Sequence, residues 1–200
     1  MSELETAITR RKGEDTREEI LEISLRLFVS KGFNSTSMQD IADAAGITKG
    51  GLYYYVKSKD DILFSLHDRF INEGLCRLEI VDKQTMGTKE KLIKLLNTHL
   101  EIIYQYKDDI TLFFKEFDQL SPDKFKIVQK KRDEYYDIFF RTVEKGKNEG
   151  AFNVGDSKIV VLYMLGASNF MYQWYNPYGR MTIDQLSNIY IDFVLNGLCK

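Results

Sequence analysis

The sequence predicts an all-α fold in two parts, an N-terminal three-helix unit followed by a larger helical domain, with about nine helices in all. Three observations predict it. Apolar residues recur at three- and four-residue spacing along most of the chain, while strand-like alternation is scarce. Prolines are confined to Pro122 and Pro177, and most glycines fall at segment ends, as long helices require. The stretch Thr36 to Lys59, TSMQDIADAAGITKGGLYYYVKSK, reads as two short helices about a tight turn, the helix-turn-helix pattern. The expected domain boundary falls between residues 57 and 58.

Residues 1 to 14 lack apolar periodicity and carry Arg10, Arg11 and Lys12, which predicts a mobile arm. The first helix is expected from Asp15 or Thr16 to Ser30. Thr16 and Glu19 have capping-box spacing, and Ile20, Ile23, Leu27 and Phe28 share a helical face. Next, Ser37 or Thr36 can cap a short helix, answered by Gln39 or Asp40, with Ile41, Ala42 and Ala45 as its apolar side. Gly46 supplies the turn, and Thr48 is a natural cap for a second short helix ending near Tyr55.

From Ala44 to Lys59 there is no acidic residue, while Lys49, Lys57 and Lys59 are basic and Tyr53, Tyr54 and Tyr55 offer hydroxyls. Gly50 and Gly51 each cost about 1 kcal/mol in a helix relative to alanine. Such a surface suits phosphate oxygens; the same pattern also fits a packed hairpin with an exposed lysine cluster.

A fourth helix opens at Ser58, with Asp61 at the capping-box position, and Ile62, Leu66 and Phe70 form its stripe to Leu78 or beyond. Leu92, Leu95, Leu96, His99 and Ile103 mark a helix to about Tyr106. Ile110, Phe113, Phe114 and Phe117 mark a short aromatic one ending near Leu120. Ser121-Pro122 reads as cap and first residue of a long helix to about Asn148, stopped by Gly150. Arg132 interrupts that helix's apolar stripe, so it is either paired with a carboxylate or faces a ligand anion. Two helices close the chain, Asp156 to about Tyr175 and Thr182 to about Gly197, the latter behind the capping box Thr182 to Gln185. The first is apolar nearly all round through Val160 to Leu165, which requires burial on several sides. Together they are material for a two-fold four-helix interface or for the core of a monomer.

Composition bounds the function. The 200 residues are 44% hydrophobic, enough for a sizeable core, and carry a formal net charge of −2, so any binding to nucleic acid must come from a local patch. Cys76 and Cys199 match no metal or redox spacing. No charged leader and no run of about 18 apolar residues occurs, so a cytoplasmic protein without membrane contact is expected. There is no nucleophile elbow, His-Glu metal motif or phosphate-loop glycine pattern, so no enzyme, cofactor or metal is expected.

The segment Ile20 to Leu63, ILEISLRLFVSKGFNSTSMQDIADAAGITKGGLYYYVKSKDDIL, resembles the N-terminal DNA-binding domain of the TetR family of bacterial one-component transcription regulators. The specific parts are the Phe28 to Phe33 helix end, the Thr36 to Ala42 entry, Ala45-Gly46-Ile47, Lys49-Gly50 through Tyr54, and Ser58-Lys59. It departs at Tyr55, where the family often has His, and at Val56, where it often has Phe.

The resemblance implies a homodimeric repressor on a palindromic duplex-DNA operator, released by a small-molecule effector. It implies phosphate contacts at Thr36, Ser37, Tyr53, Tyr54 and Lys59, base-edge approach at Thr48, Lys49 and Gly50, and pairing through the last helices, with Val161, Leu165, Tyr190, Phe193 and Val194 as candidates. The segment Gly166 to Arg180, GASNFMYQWYNPYGR, resembles the equivalent region of family members that sense acyl-CoA thioesters. It makes Phe113, Phe117, Arg132, Tyr136, Phe139, Phe170 and Trp174 candidates for an effector site. The competing reading is a helical interaction or architectural module that uses the helix-turn-helix for packing alone.

Overall fold

The computed structural model describes residues 3–198, so Cys199 lies outside the described residues. Among these the fold is helical without strands: α1 Glu3–Lys31, α2 Met38–Ala44, α3 Lys49–Tyr55, α4 Lys59–Asp82, α5 Thr88–Gln105, α6 Lys107–Glu116, a 3-10 turn Phe117–Gln119, α7 Pro122–Asn148, α8 Ser157–Asn169, the single turn α9 Met171–Trp174, and α10 Ile183–Leu198. Among the described residues no helix is long and apolar enough to cross a membrane.

The chain forms two compact units, one of residues 1–68 with 112–125, the other of 69–111 with 126–200. In the first unit, α1 supplies Ile20, Leu21, Leu25 and Phe28 to a core shared with Phe33, Ile41, Ala42, Leu52, Val56, Ile62 and Leu63. α1 begins at Glu3 and not at Thr16, which replaces most of the expected arm by helix. A capping box permits a helix start but does not force one when the preceding residues can continue the helix. Gly32 has φ 92° and Gly46 φ 66°, left-handed values that side chains disfavour. The first turns the chain out of α1, the second from α2 towards α3.

Residues 112–125 close this unit. Lys124 bridges Asp60, at 2.7 Å, and Asp61, while Asp60 also accepts the Ser121 N–H at 3.1 Å. The His67 and Phe113 rings meet at a tilt, 4.3 Å between centroids.

In the second unit α5 and α10 are neighbours, and Leu92, Leu95, Leu96, Leu100 and Ile103 are buried along α5. Arg69 pairs with buried Asp109 at 2.5 Å. A Cβ on Gly146 would lie 2.1 Å from the Phe152 ring, so glycine there lets that ring cover the end of α7. The expected helix from Asp156 to Tyr175 is divided at Phe170, which ends α8 and precedes the single turn α9.

Candidate nucleic-acid interface

The helix pair α2–α3 is held by its own caps. Ser37 has extended backbone, its Oγ accepts the Asp40 N–H at 3.1 Å, and Asp40 accepts the Ser37 N–H at 2.7 Å. Lys31, 2.7 Å from Asp40, and Ser37 hold that carboxyl well below the usual carboxylate range. Thr48 caps α3 by accepting the Gly51 N–H at 3.1 Å. At the other end, Asp61 accepts the Lys57 N–H at 2.9 Å while Ser58 Oγ accepts the Asp61 N–H at 3.0 Å. The start of α3 and the exit from it are both tied to fixed side chains.

With Leu52 fully buried, α3 presents Lys49, Gly50, Tyr53 and Tyr54 to solvent. Lys49 and Tyr53, and Gly50 and Tyr54, are four residues apart and share one side of the helix. Tyr54 is 84% exposed. A Cβ on Gly50 would meet no atom within 4 Å; the chain's own packing does not require glycine there. A bare, cationic, hydroxyl-rich helix face of this kind can meet phosphate oxygens and approach base edges.

Two residues expected at phosphates have other partners. Thr36 is 1% exposed and its Oγ1 donates to Gly32 O at 2.8 Å, so it fastens the α1–α2 loop from inside and offers no surface to DNA. Lys59 is half-buried; its Nζ donates to Phe33 O at 2.6 Å and lies 4.5 Å above the Phe33 ring. Lys57, passed over as a site residue, is exposed.

The effector candidates are divided between the two units. Phe113 and Phe117 belong to the first unit, 6.5 Å apart between ring centroids. In the second, Phe139 is buried, Tyr136 is half-buried and stacks on Phe140 at 6.0 Å, and Arg132 is exposed. Phe170 and Trp174 are surface residues.

The dimer candidates differ in exposure. Val161 and Val194 are buried in the chain's own core, Leu165 and Tyr190 are half-buried, and Phe193 is 71% exposed. The exposed apolar side chains are Ile159, Leu162, Tyr163 and Phe170 along α8 and its end, and Ile189 and Phe193 on α10. Their spacing places them on one face of each helix. The sequence lacked the phase because α8 is apolar nearly all round.

A buried polar chain crosses the second unit. Ser168 Oγ donates to Met164 O at 2.8 Å, which leaves its oxygen to accept from His99 Nε2–H at 2.8 Å. His99 Nδ1 is then the acceptor for the Tyr135 hydroxyl, also at 2.8 Å, and the Tyr190 hydroxyl donates to the same Met164 carbonyl. Burial pushes the His99 pKa down from 6.5 to about 3, so this imidazole is neutral. The chain joins α5, α7, α8 and α10; the only trace of it in the sequence was a histidine on the apolar stripe of α5.

Comparison with known proteins bears on both units. The family model described as "Bacterial regulatory proteins, tetR family" matches residues 20–66, and "Tetracyclin repressor-like, C-terminal domain" matches residues 85–198. The HTH-type transcriptional repressor KstR2 of Rhodococcus jostii is 26% identical over 186 residues, 92% of this chain and 91% of the relative. The structure of the ketosteroid transcriptional regulator KstR2 of Mycobacterium tuberculosis superposes with a TM-score of 0.83 at 26% identity, covering 92% of this chain and 95% of that one. AibR in complex with isovaleryl coenzyme A and operator DNA shares the fold, with a TM-score of 0.79 at 21% identity over 89% of this chain and 97% of that one.

Proposed function

This chain belongs to the TetR family of DNA-binding transcription regulators, and from that premise we propose that it is a homodimeric repressor released from a palindromic operator by a small apolar effector held in the C-terminal domain. The observation that carries the reading is the face of α3. Lys49, Gly50, Tyr53 and Tyr54 are exposed there, on a helix whose start and exit are both capped. A two-fold dimer sets two such helices in successive major grooves, about 34 Å apart or somewhat more. The apolar faces of α8 and α10 are suited to make that dimer, because contiguous exposed apolar surface marks an association site.

The effector class favoured is an acyl-CoA thioester. AibR, with the same fold, is described with isovaleryl coenzyme A, and KstR2 as a ketosteroid regulator. The buried aromatic side chains Tyr135 and Phe139 are suitable company for an apolar acyl group. The effector acts by preferring a dimer geometry that no longer spans the operator, with a coupling of about 1–3 kcal/mol, or roughly 5–150-fold in affinity. The work is done in the cytoplasm, where the operator is.

Selection on random duplex DNA, with and without a panel of acyl-CoAs, tests both halves. A palindromic sequence is expected to enrich, to be released by at least one thioester, and to be bound more weakly and with less sequence preference by Lys49→Ala. Enrichment of no palindrome overturns the reading.

A further inference from the structure

We propose that the half-open cavity bounded by the end of α4, the start of α5 and the later part of α7 binds a phosphate ester group. The cavity has a volume of about 220 Å³, and its lining includes Asp82, Thr88, Lys91, Arg141, Thr142 and Lys145. Its lining therefore gathers three cations and one carboxylate, with a second carboxylate, Glu149, against Thr88 and Lys145, in a chain whose formal net charge is −2.

The carboxylate of the lining is shared. Asp82 lies 3.5 Å from Lys91 and 3.0 Å from Arg141, so two cations share one negative charge. Lys145 is largely exposed and meets Glu149 at 3.7 Å, a distance at which pairing through water is weak. The eighteen-residue helix α5 also begins here, behind Gly87, a cap residue that makes no side-chain hydrogen bond. Its first-turn N–H groups add positive potential on the same side as the lysines.

A carboxylate from the chain itself reaches this helix start. Glu149 accepts from Thr88 Oγ1 at 2.5 Å and is the partner of Lys145. The place is thus already arranged to hold an oxyanion, and an incoming dianion would compete with Glu149 for the same charges. At about 220 Å³ the cavity admits a phosphate group but falls below the roughly 300–1,000 Å³ of a site for a whole drug-sized ligand. Its occupant is the charged end of a larger molecule or a free ion. We assign the nucleotide end of a coenzyme A thioester; that assignment rests on the effector class proposed above, whereas the phosphate chemistry does not.

Calorimetric titration of the DNA-free, full-length protein with coenzyme A, ADP and inorganic phosphate tests this independently of any operator. Arg141→Gln with Lys145→Gln alters exposed side chains, and each lost cation is expected to weaken coenzyme A binding about tenfold. Glu149→Gln removes the competing carboxylate and is expected to tighten it, a gain that mere destabilisation would not produce. Inorganic phosphate binding as tightly as coenzyme A keeps the phosphate site and overturns the coenzyme A assignment. Coenzyme A binding unchanged in both variants overturns the site while leaving the effector class standing. No binding of any of the three compounds to the unaltered protein also overturns the site.

Discussion

Acid is expected to weaken the protein through His99 by an amount that can be isolated. The imidazole is buried, its Nε2–H is given to Ser168, and its Nδ1 takes the hydrogen of Tyr135. Protonation would place a second N–H against a donating hydroxyl and a charge among the rings of Tyr135 and Phe139. Burial accordingly lowers its pKa from 6.5 to about 3.

In the unfolded chain the ring takes its proton near 6.5, so below that pH the unfolded state holds one proton more than the folded one. Stability is complete above 6.5 and falls as the pH drops, by about 1.4 kcal/mol per unit, down to the folded value. From pH 7.5 to pH 5 the loss attributable to this one group is about 2 kcal/mol, a sizeable part of the roughly 5–15 kcal/mol a domain of ordinary stability has.

Other groups also contribute to the pH dependence of stability, so the useful quantity is a difference. His99→Gln fills similar space, carries no ionisable group and loses stability by a fixed amount at all pH values. Urea unfolding of both proteins at pH 7.5 and pH 5 should show the gap between them narrowing by about 2 kcal/mol at the lower pH. Parallel changes in the two proteins would refute the reasoning, since they would mean that His99 binds its proton equally well folded and unfolded.

Thr36→Val keeps the shape of the side chain but leaves the Gly32 carbonyl without its donor. It should lower unfolding stability by about 1–2 kcal/mol while the salt dependence of DNA binding stays unchanged; a salt slope reduced by about one would restore Thr36 as a phosphate contact. Phe193→Glu on the exposed face of α10 should leave the folded monomer within about 0.5 kcal/mol of the original and shift sedimentation towards a monomer. Unaltered association would remove that face from the interface.

The parts of the fold that were legible in the sequence are those decided within a few residues. The Ser37–Asp40 and Thr182–Gln185 capping boxes form as spaced. Thr48 caps α3, Gly46 adopts the left-handed turn, and Ser121-Pro122 opens α7. Family membership was legible for the same reason, since its motif is a contiguous run. What the sequence did not show depends on contacts between distant residues. Lys59 reaches back 26 positions to Phe33, and Thr36 is turned inward by the loop after α1. His99 finds partners 36 and 69 residues away. No periodicity could say which side of α8 faces outward, because leucines, valines and a methionine surround it. Thr16 and Glu19 had correct capping spacing, yet α1 continues through them.

The closure of the first unit by residues 112–125 limits how its DNA-reading part can be exchanged with that of another regulator. A transplant cut after Asp68 would carry α1 to α3 and their caps but leave behind Lys124, the Ser121 N–H and Phe113, the partners of Asp60, Asp61 and His67. The excised piece would carry Asp60 and Asp61 without their lysine and His67 without the Phe113 ring. A functional graft has to bring a second, non-contiguous segment with it, so in this chain the unit of inheritance for DNA recognition is larger than the uninterrupted stretch of sequence that reads the DNA.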